Sequence, residues 1–220
     1  MEPPTQQQLA AIASACDRRW DRHYTRSKLA TDPVYLAVAE VLHPTISPVL
    51  DIGCGMGLLA HYLRACGISS PVDGFDFDER KIRSAVSMAR RAALKDVHFH
   101  CGDAREGLNA FSGSVVILDV LQYLGPEQQR ELLLAAAGRV AAGCCLVIRS
   151  GLRDDSWRYG VTRLGDWVAK LSLWMKAGPV QYPTAEELRQ LLSEQGLAVT
   201  VSPLWGGTPF NNHLIVARRA

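Results

Sequence analysis

The stretch Val49-Leu50-Asp51-Ile52-Gly53-Cys54-Gly55-Met56-Gly57 decides how this chain is read. A short apolar run of strand character feeds a glycine-rich turn, and from Leu58 the pattern becomes helical. Glycine lets the backbone bend sharply and lets a ligand approach the main chain. Open α/β sheets bind their ligands at the carboxyl ends of the strands. The turn alone fits several nucleotide-binding folds, so its meaning depends on the residues at the later strand ends.

Outward from this turn, strand-like runs at Val72–Phe75, Val97–His100, Ser114–Leu118 and Cys144–Ile148 alternate with helical patterns near 57–66, 79–94 and 127–140. In the second helix Ile82, Ala85, Val86, Ala89 and Ala93 share one face. Pro126-Glu127 suits a helix start, where the missing amide is harmless and negative charge complements the dipole. The rhythm calls for a mostly parallel sheet covered on both faces. Residues 6–40 read as two helical segments broken near Thr31-Asp32-Pro33. Thr184-Ala185-Glu186-Glu187 is a capping box for a helix buried through Leu188, Leu191 and Leu192 and ending at Gly196. Strand-like runs 197–204 and 212–218 come next. The loop Gly206–Asn211 between them is short enough only for a hairpin, so the last strand is expected antiparallel.

Polar groups recur at the successive strand ends. Asp76 closes the second, where a carboxylate can accept ribose hydroxyls. Gly102-Asp103-Ala104 succeeds the third, and Asp103 there can accept from an adenine amino group. Asp119 closes the fourth, in Asp119-Val120-Leu121-Gln122-Tyr123-Leu124.

Together these features resemble the class I S-adenosylmethionine-dependent methyltransferase family of small-molecule type, over roughly residues 45–220. The resemblance rests on Asp51 through Gly57 as the DxGxGxG loop, Asp76 as the ribose acid, Gly102-Asp103 as the adenine-site pair and Asp119 as the start of the fourth motif. It implies a Rossmann-like three-layer α/β sandwich whose seven-stranded, mostly parallel sheet has the order 3-2-1-4-5-7-6 with the last strand antiparallel. It implies S-adenosyl-L-methionine as cofactor, bound by Asp51, Gly53, Cys54, Gly55, Asp76, Phe77, Asp103, Ala104 and Asp119. In this scheme Asp51 positions the methionine ammonium. The whole of 1–220 is expected to be one domain: an N-terminal helical cover (1–44), a cofactor-binding core (45–150), a lid insertion (151–182) and a closing helix and hairpin (183–220).

Two alternatives stand beside this reading. A nicotinamide-dependent oxidoreductase would also want an acid about 20 residues beyond the glycines. However, Leu58 occupies the place where that fingerprint takes glycine or alanine, and the fingerprint explains neither Asp51 nor Gly102-Asp103. The other is a non-catalytic binding protein on the same fold, against which the intact loop and acids count.

Composition removes other classes. A formal charge of +2 with dispersed basic residues gives no footprint for nucleic acid. The start, Met1-Glu2-Pro3-Pro4, has no signal pattern, and Leu132–Ile148 is broken by Gly138, Arg139 and Gly143, so a cytoplasmic protein without a membrane span is expected. None of the six cysteines forms a CxxC pair and the histidines lack ligand spacing, which gives reduced thiols and no metal. The fourth motif lacks the Asn/Asp-Pro-Pro-Tyr/Phe pattern of amino methyltransferases. Asp119 lacks the partners of a magnesium-dependent catechol enzyme. Oligomeric state is not read from the sequence.

Methyl transfer from a sulfonium is an in-line displacement, which needs alignment and dryness more than a fixed catalytic residue, so no base is assigned. The expected acceptor is a small apolar, aromatic or acyl molecule, free or carrier-bound. Candidates for its pocket are Tyr24 and Lys28 of the N-terminal cover, with Tyr35 beside them, then Tyr123 and Arg149 at strand ends. Arg149 suits a substrate anion or a neighbouring acid equally. His213 is a further candidate. In 157–175, Trp157, Val161, Leu164, Val168, Leu171 and Met175 share one helical face bordered by Trp167 and Trp174, while Arg158, Arg163, Asp166, Lys170 and Lys176 take the other. Trp167 and Trp174 are read as lining a lid over the substrate, with a membrane-surface contact as the alternative.

Overall fold

The computed structural model describes residues 1–43, 46–162 and 181–220. Three helices lead the chain: α1 (Gln6–Ser14), α2 (Arg19–Thr31) and α3 (Val34–Leu42). Then β1 (Val49–Ile52), α4 (Leu58–Ala65), β2 (Val72–Asp76), α5 (Glu79–Arg91), β3 (Val97–Cys101), β4 (Ser114–Leu118), α6 (Pro126–Ala137) and β5 (Cys145–Gly151) alternate. The helix Ala185–Glu194 (α7) precedes β6 (Ala198–Pro203) and β7 (Asn212–Arg218).

The sheet has the order β3-β2-β1-β4-β5-β7-β6. β1 to β5 pair in parallel, and β7 runs antiparallel to both β5 and β6. Both faces are covered because the strands alternate. Val116, Val147, Leu214 and Val216 enter a core with α1 to α5, while Val115, Ile117, Leu146, Ile148 and Ile215 enter a second core with α6 and α7. This matches the expected sheet, including the antiparallel closing strand.

Two local expectations are corrected. The N-terminal segment holds three helices, not two, since the chain also breaks at 15–18. No glycine or proline marks that break. Instead Arg91 Nη1, from 76 positions away, donates to the Ala15 carbonyl at 2.8 Å and the nearby Arg22 Nε to the Cys16 carbonyl at 2.9 Å, so two guanidiniums satisfy the carbonyls just past α1. In α5 the inward residues are Ile82, Ala85, Met88 and Ala89, whereas Val86 is exposed and Ala93 lies beyond the helix with φ +48°. Met88, which reaches the core against Cys16, takes the place expected for Val86.

Candidate cofactor and acceptor site

The glycine turn is fixed from below and open above. The amides of Gly53 and Cys54 both donate to the Phe75 carbonyl, at 2.8 and 3.0 Å, and the Gly55 amide donates to Asp76 Oδ2 at 3.0 Å. Gly53, Gly55 and Gly57 all have positive φ. They are glycines for different reasons. A Cβ on Gly53 would meet Val120 at 2.4 Å and one on Gly57 would meet Phe99 at 2.4 Å, but one on Gly55 would meet nothing within 4 Å. Gly55 therefore faces open space, which is where main chain can approach a ligand. Cys54 is buried, and burial pushes its thiol well up, which keeps it protonated and unreactive.

Asp51 and Asp76 are both buried at the ends of β1 and β2. Burial first, and Asp76 second, raise the Asp51 carboxyl to about 7. Asp76 Oδ1 accepts the Asp78 amide at 2.8 Å while Oδ2 takes Gly55, and Lys81 Nζ lies 4.0 Å from Oδ2. Each oxygen keeps acceptor capacity beyond its single amide. The next strand end adjoins directly, since the Gly102 amide donates to the Asp76 carbonyl at 3.2 Å. Asp103 caps a short turn, Ala104–Glu106, accepting the Arg105 amide at 2.9 Å, and the Arg105 guanidinium grips it. That hydrogen bonding holds its carboxyl below the usual range. Phe77 is exposed beside Asp76.

Asp119 belongs to a different cluster. Its φ is +58°, and its carboxylate accepts Arg149 Nη1 at 2.6 Å. The same nitrogen donates to Asp32 Oδ2 at 3.1 Å, and Lys28 Nζ donates to that oxygen at 3.2 Å. Of the two readings of Arg149, pairing with neighbouring acids is what the structure shows. Burial alone would lower the Arg149 pKa, but Asp119 and Asp32 outweigh it and raise it. Burial also raises Asp119, with Arg149 and Lys28 opposing.

Beside this network a cavity of about 290 Å³ opens between α2 and the β6–β7 loop. Tyr24, Lys28 and Arg149 line it as the sequence suggests, together with Asp32, Trp205 and Phe210, which the sequence pattern did not single out. Two aromatics flanking Gly206-Gly207 in a hairpin loop were the available signal. Tyr123 is exposed and outside the lining, Tyr35 is buried against Tyr62, and His213 stands behind the wall, its ring edge-on to Trp205 at 6.3 Å. Trp167 and Trp174 lie outside the described residues. The start of their segment also departs from expectation. Over the helical residues 157–162, Trp157 is 65% exposed, and Arg158 turns inward instead, stacking over Trp205 at 4.3 Å and donating to the Thr208 carbonyl at 2.8 Å. The cation–π contact and the carbonyl hold Arg158 there despite its charge.

Residues 49–143 match the family model described as a methyltransferase domain. No curated protein matches the chain. Among solved structures, an O-methyltransferase family protein from Burkholderia thailandensis superposes with a TM-score of 0.69 at 20% identity, over 91% of this chain and 59% of that one. This chain thus spans 59% of the Burkholderia protein's length. Magnesium protoporphyrin IX methyltransferase from Synechocystis PCC 6803, solved with bound SAH, gives 0.68 at 18% identity over 97% and 94% of the two chains. The pyocyanin biosynthetic protein PhzM gives 0.68 at 19% identity over 96% and 62%. The fold is the Rossmann-like methyltransferase fold. The match over residues 49–143 and the shared fold, which includes structures solved with bound SAM and SAH, imply S-adenosylmethionine as the cofactor.

The residues present fit that cofactor. Gly55 offers open main chain, Asp76 has acceptor capacity for ribose hydroxyls, and Asp51 is a buried carboxyl, raised to about 7, whose ionised form a nearby cation would favour.

Proposed function

We propose that this chain transfers a methyl group from S-adenosylmethionine to a small molecule held in the cavity between α2 and the β6–β7 loop. The observation that carries this is Arg149, whose guanidinium both lines the cavity and bonds Asp119 at the end of β4, the strand next to β1 and its glycine turn. The cavity therefore adjoins the cofactor cleft along the same row of strand ends. The cofactor supplies an electrophilic methyl group. Asp51, Asp76, Phe77, Asp103 and Ala104, with the Gly53–Gly55 backbone, are its proposed contacts. Asp119 would bridge the two compartments.

The chain's own contribution is alignment and exclusion of water. Lys28, Asp32, Arg149 and Asp119 tie the C-terminal end of α2 to β4 and β5, which closes the cleft on one side. Asp32 Oδ1 also accepts the Val34 amide at 3.1 Å, so the network sets where α3 begins. A base is needed only where the acceptor arrives protonated. Among the described residues no helix is long and apolar enough to cross a membrane.

The test is calorimetry with S-adenosylhomocysteine and NAD, followed by assay of S-adenosylhomocysteine release over a panel of hydroxylated aromatic and acyl compounds. Binding of S-adenosylhomocysteine with turnover of a panel member is the expected result. Preference for NAD, or no adenosyl ligand bound by folded protein, would overturn the proposal.

A further inference from the structure

Resting on the reading of this cavity as the acceptor site, we infer that the exposed face of α2 beside the cavity mouth docks on an anionic membrane surface, so that an apolar acceptor enters from the lipid. Trp20, Tyr24, Ser27 and Thr31 are spaced i, i+4, i+7 and i+11, and so share one side of α2. From Tyr24 onward this row lines the cavity, and its outer end is Trp20, which is 66% exposed. Thr25 and Leu29 are the buried residues of the helix, so α2 lies on the surface with most of its circumference in water.

Two further elements bring exposed rings to the same mouth. Phe210 of the β6–β7 loop lines the cavity and is itself exposed. The Arg158 guanidinium lies 4.9 Å from the ring of exposed Trp157 and 4.3 Å from that of Trp205, a lining residue, which places Trp157 at the rim. A single exposed ring is ordinary, but Trp20, Tyr24, Phe210 and Trp157 come from three elements and surround one opening.

Charge selects the partner. The whole chain carries a formal charge of +2, yet residues 18–28 hold five basic residues against one acid. Arg19 and Arg26, at i and i+7, form a second exposed row beside that of Trp20. Neither makes an ion pair with a described residue, and the neighbouring Asp17 is committed to Arg91. Unpaired arginines at a surface attract anionic headgroups, and buried apolar area adds to that attraction. Indole and phenol rings settle at headgroup level whatever their mutual arrangement, whereas an acidic protein would need a surface matched to each ring.

The experiment is co-sedimentation of the full chain with phosphatidylcholine vesicles prepared with and without phosphatidylglycerol. Binding is expected to the anionic vesicles, to be weaker to the neutral ones, and to fall as salt is raised. Arg19→Gln and Arg26→Gln should each weaken it about fivefold, while Arg130→Gln on α6 should not. Trp20→Ala should also weaken it, and should reduce quenching of tryptophan fluorescence by brominated phosphatidylcholine. The α2 variants should keep the wild-type melting temperature and S-adenosylhomocysteine affinity. Absence of vesicle binding, undiminished binding in the folded α2 variants, or an equal loss in Arg130→Gln would each overturn the membrane face. Capture of polyglutamate through Arg19 and Arg26 without vesicle binding would overturn it in favour of an acidic protein. Vesicle binding needs neither cofactor nor acceptor, so its failure is read apart from a failure to bind S-adenosylhomocysteine, which removes the proposed function itself.

Discussion

Asp119 and Arg149 are joined twice: the Asp119 amide donates to the Arg149 carbonyl at 3.0 Å, and Arg149 Nη1 donates to Asp119 Oδ2 at 2.6 Å. The first bond continues the β4–β5 ladder past Leu118, and the second turns the Asp119 side chain toward β5. An aspartate is among the few side chains that accept the left-handed conformation found here, φ +58°. The residue at the end of the fourth strand and a wall of the cavity are thus bonded to each other, with Asp32 tying α2 to Arg149.

Removing the guanidinium should expose what it holds. Arg149→Met would leave Asp119 and Asp32 facing each other without their shared cation. Breaking a buried pair costs about 3–5 kcal/mol, and the partial exposure of Asp119 lowers the expected loss to roughly 2–3 kcal/mol. Adding Asp32→Asn should recover part of it. Urea unfolding of the three proteins checks this, and a loss under about 0.5 kcal/mol would show the network contributes little.

The three loop glycines should separate in experiment. Gly57→Ala meets Phe99 and Gly53→Ala meets Val120, so both should lower the melting temperature. Gly55→Ala meets no atom within 4 Å and carries only the left-handed backbone cost, about 1–2 kcal/mol. It should nevertheless weaken S-adenosylhomocysteine binding. Gly55→Val should abolish that binding in folded protein. Undiminished affinity in Gly55→Val, confirmed folded by circular dichroism, would place the cofactor elsewhere.

Apolar runs alternating with helical patterns made the sheet readable in advance, because buried parallel strands such as Val115–Leu118 are continuous apolar runs bounded by turns. The acids at strand ends were legible for the same reason, since a polar residue closing an apolar run has only the cleft to face. The features that escaped were set by long-range contacts. The end of α1 depends on Arg91, which lies 76 positions beyond Ala15, and no local signal marks it. Asp32 looked like a helix breaker, and it is one, but its bond to Arg149 spans 117 positions. Arg158 was assigned to a solvent face by periodicity, yet Trp205 and the Thr208 carbonyl draw it inward. The expectation of a tryptophan lid at Trp167 and Trp174 falls outside the described residues.

Asp76 has two duties that a pair of substitutions can separate. Asp76→Ala removes an acceptor for ribose and also the partner of the Gly55 and Asp78 amides. Loss of S-adenosylhomocysteine affinity by about 1.5–3 kcal/mol is expected, the range for hydrogen bonds to a charged group. Asp76→Asn keeps one carbonyl acceptor and should lose less. Equal affinity of Asp76→Ala and wild type in calorimetry would remove Asp76 from the cofactor site.

Asp51 should make cofactor binding depend on pH, with a sign set by its burial. Its carboxyl is raised to about 7 against an ordinary value of 3.8, chiefly by desolvation and then by Asp76. The folded protein therefore binds more protons than the unfolded chain between those values. Stability of the unliganded protein should fall as pH rises through that window and level off above about 7. Cofactor binding should run the other way. An ammonium beside Asp51 favours the ionised carboxylate, so binding below about 7 must release a proton and should strengthen with pH, by at most about tenfold per unit. Asp51→Asn should flatten both profiles: the unliganded variant would be more stable than wild type at about pH 8, and its weakened affinity would no longer change with pH. Calorimetry in two buffers of different ionisation enthalpy reads the released proton directly. Affinity independent of pH in the wild type, with no proton released near pH 6, would show that Asp51 does not meet the cofactor's charge.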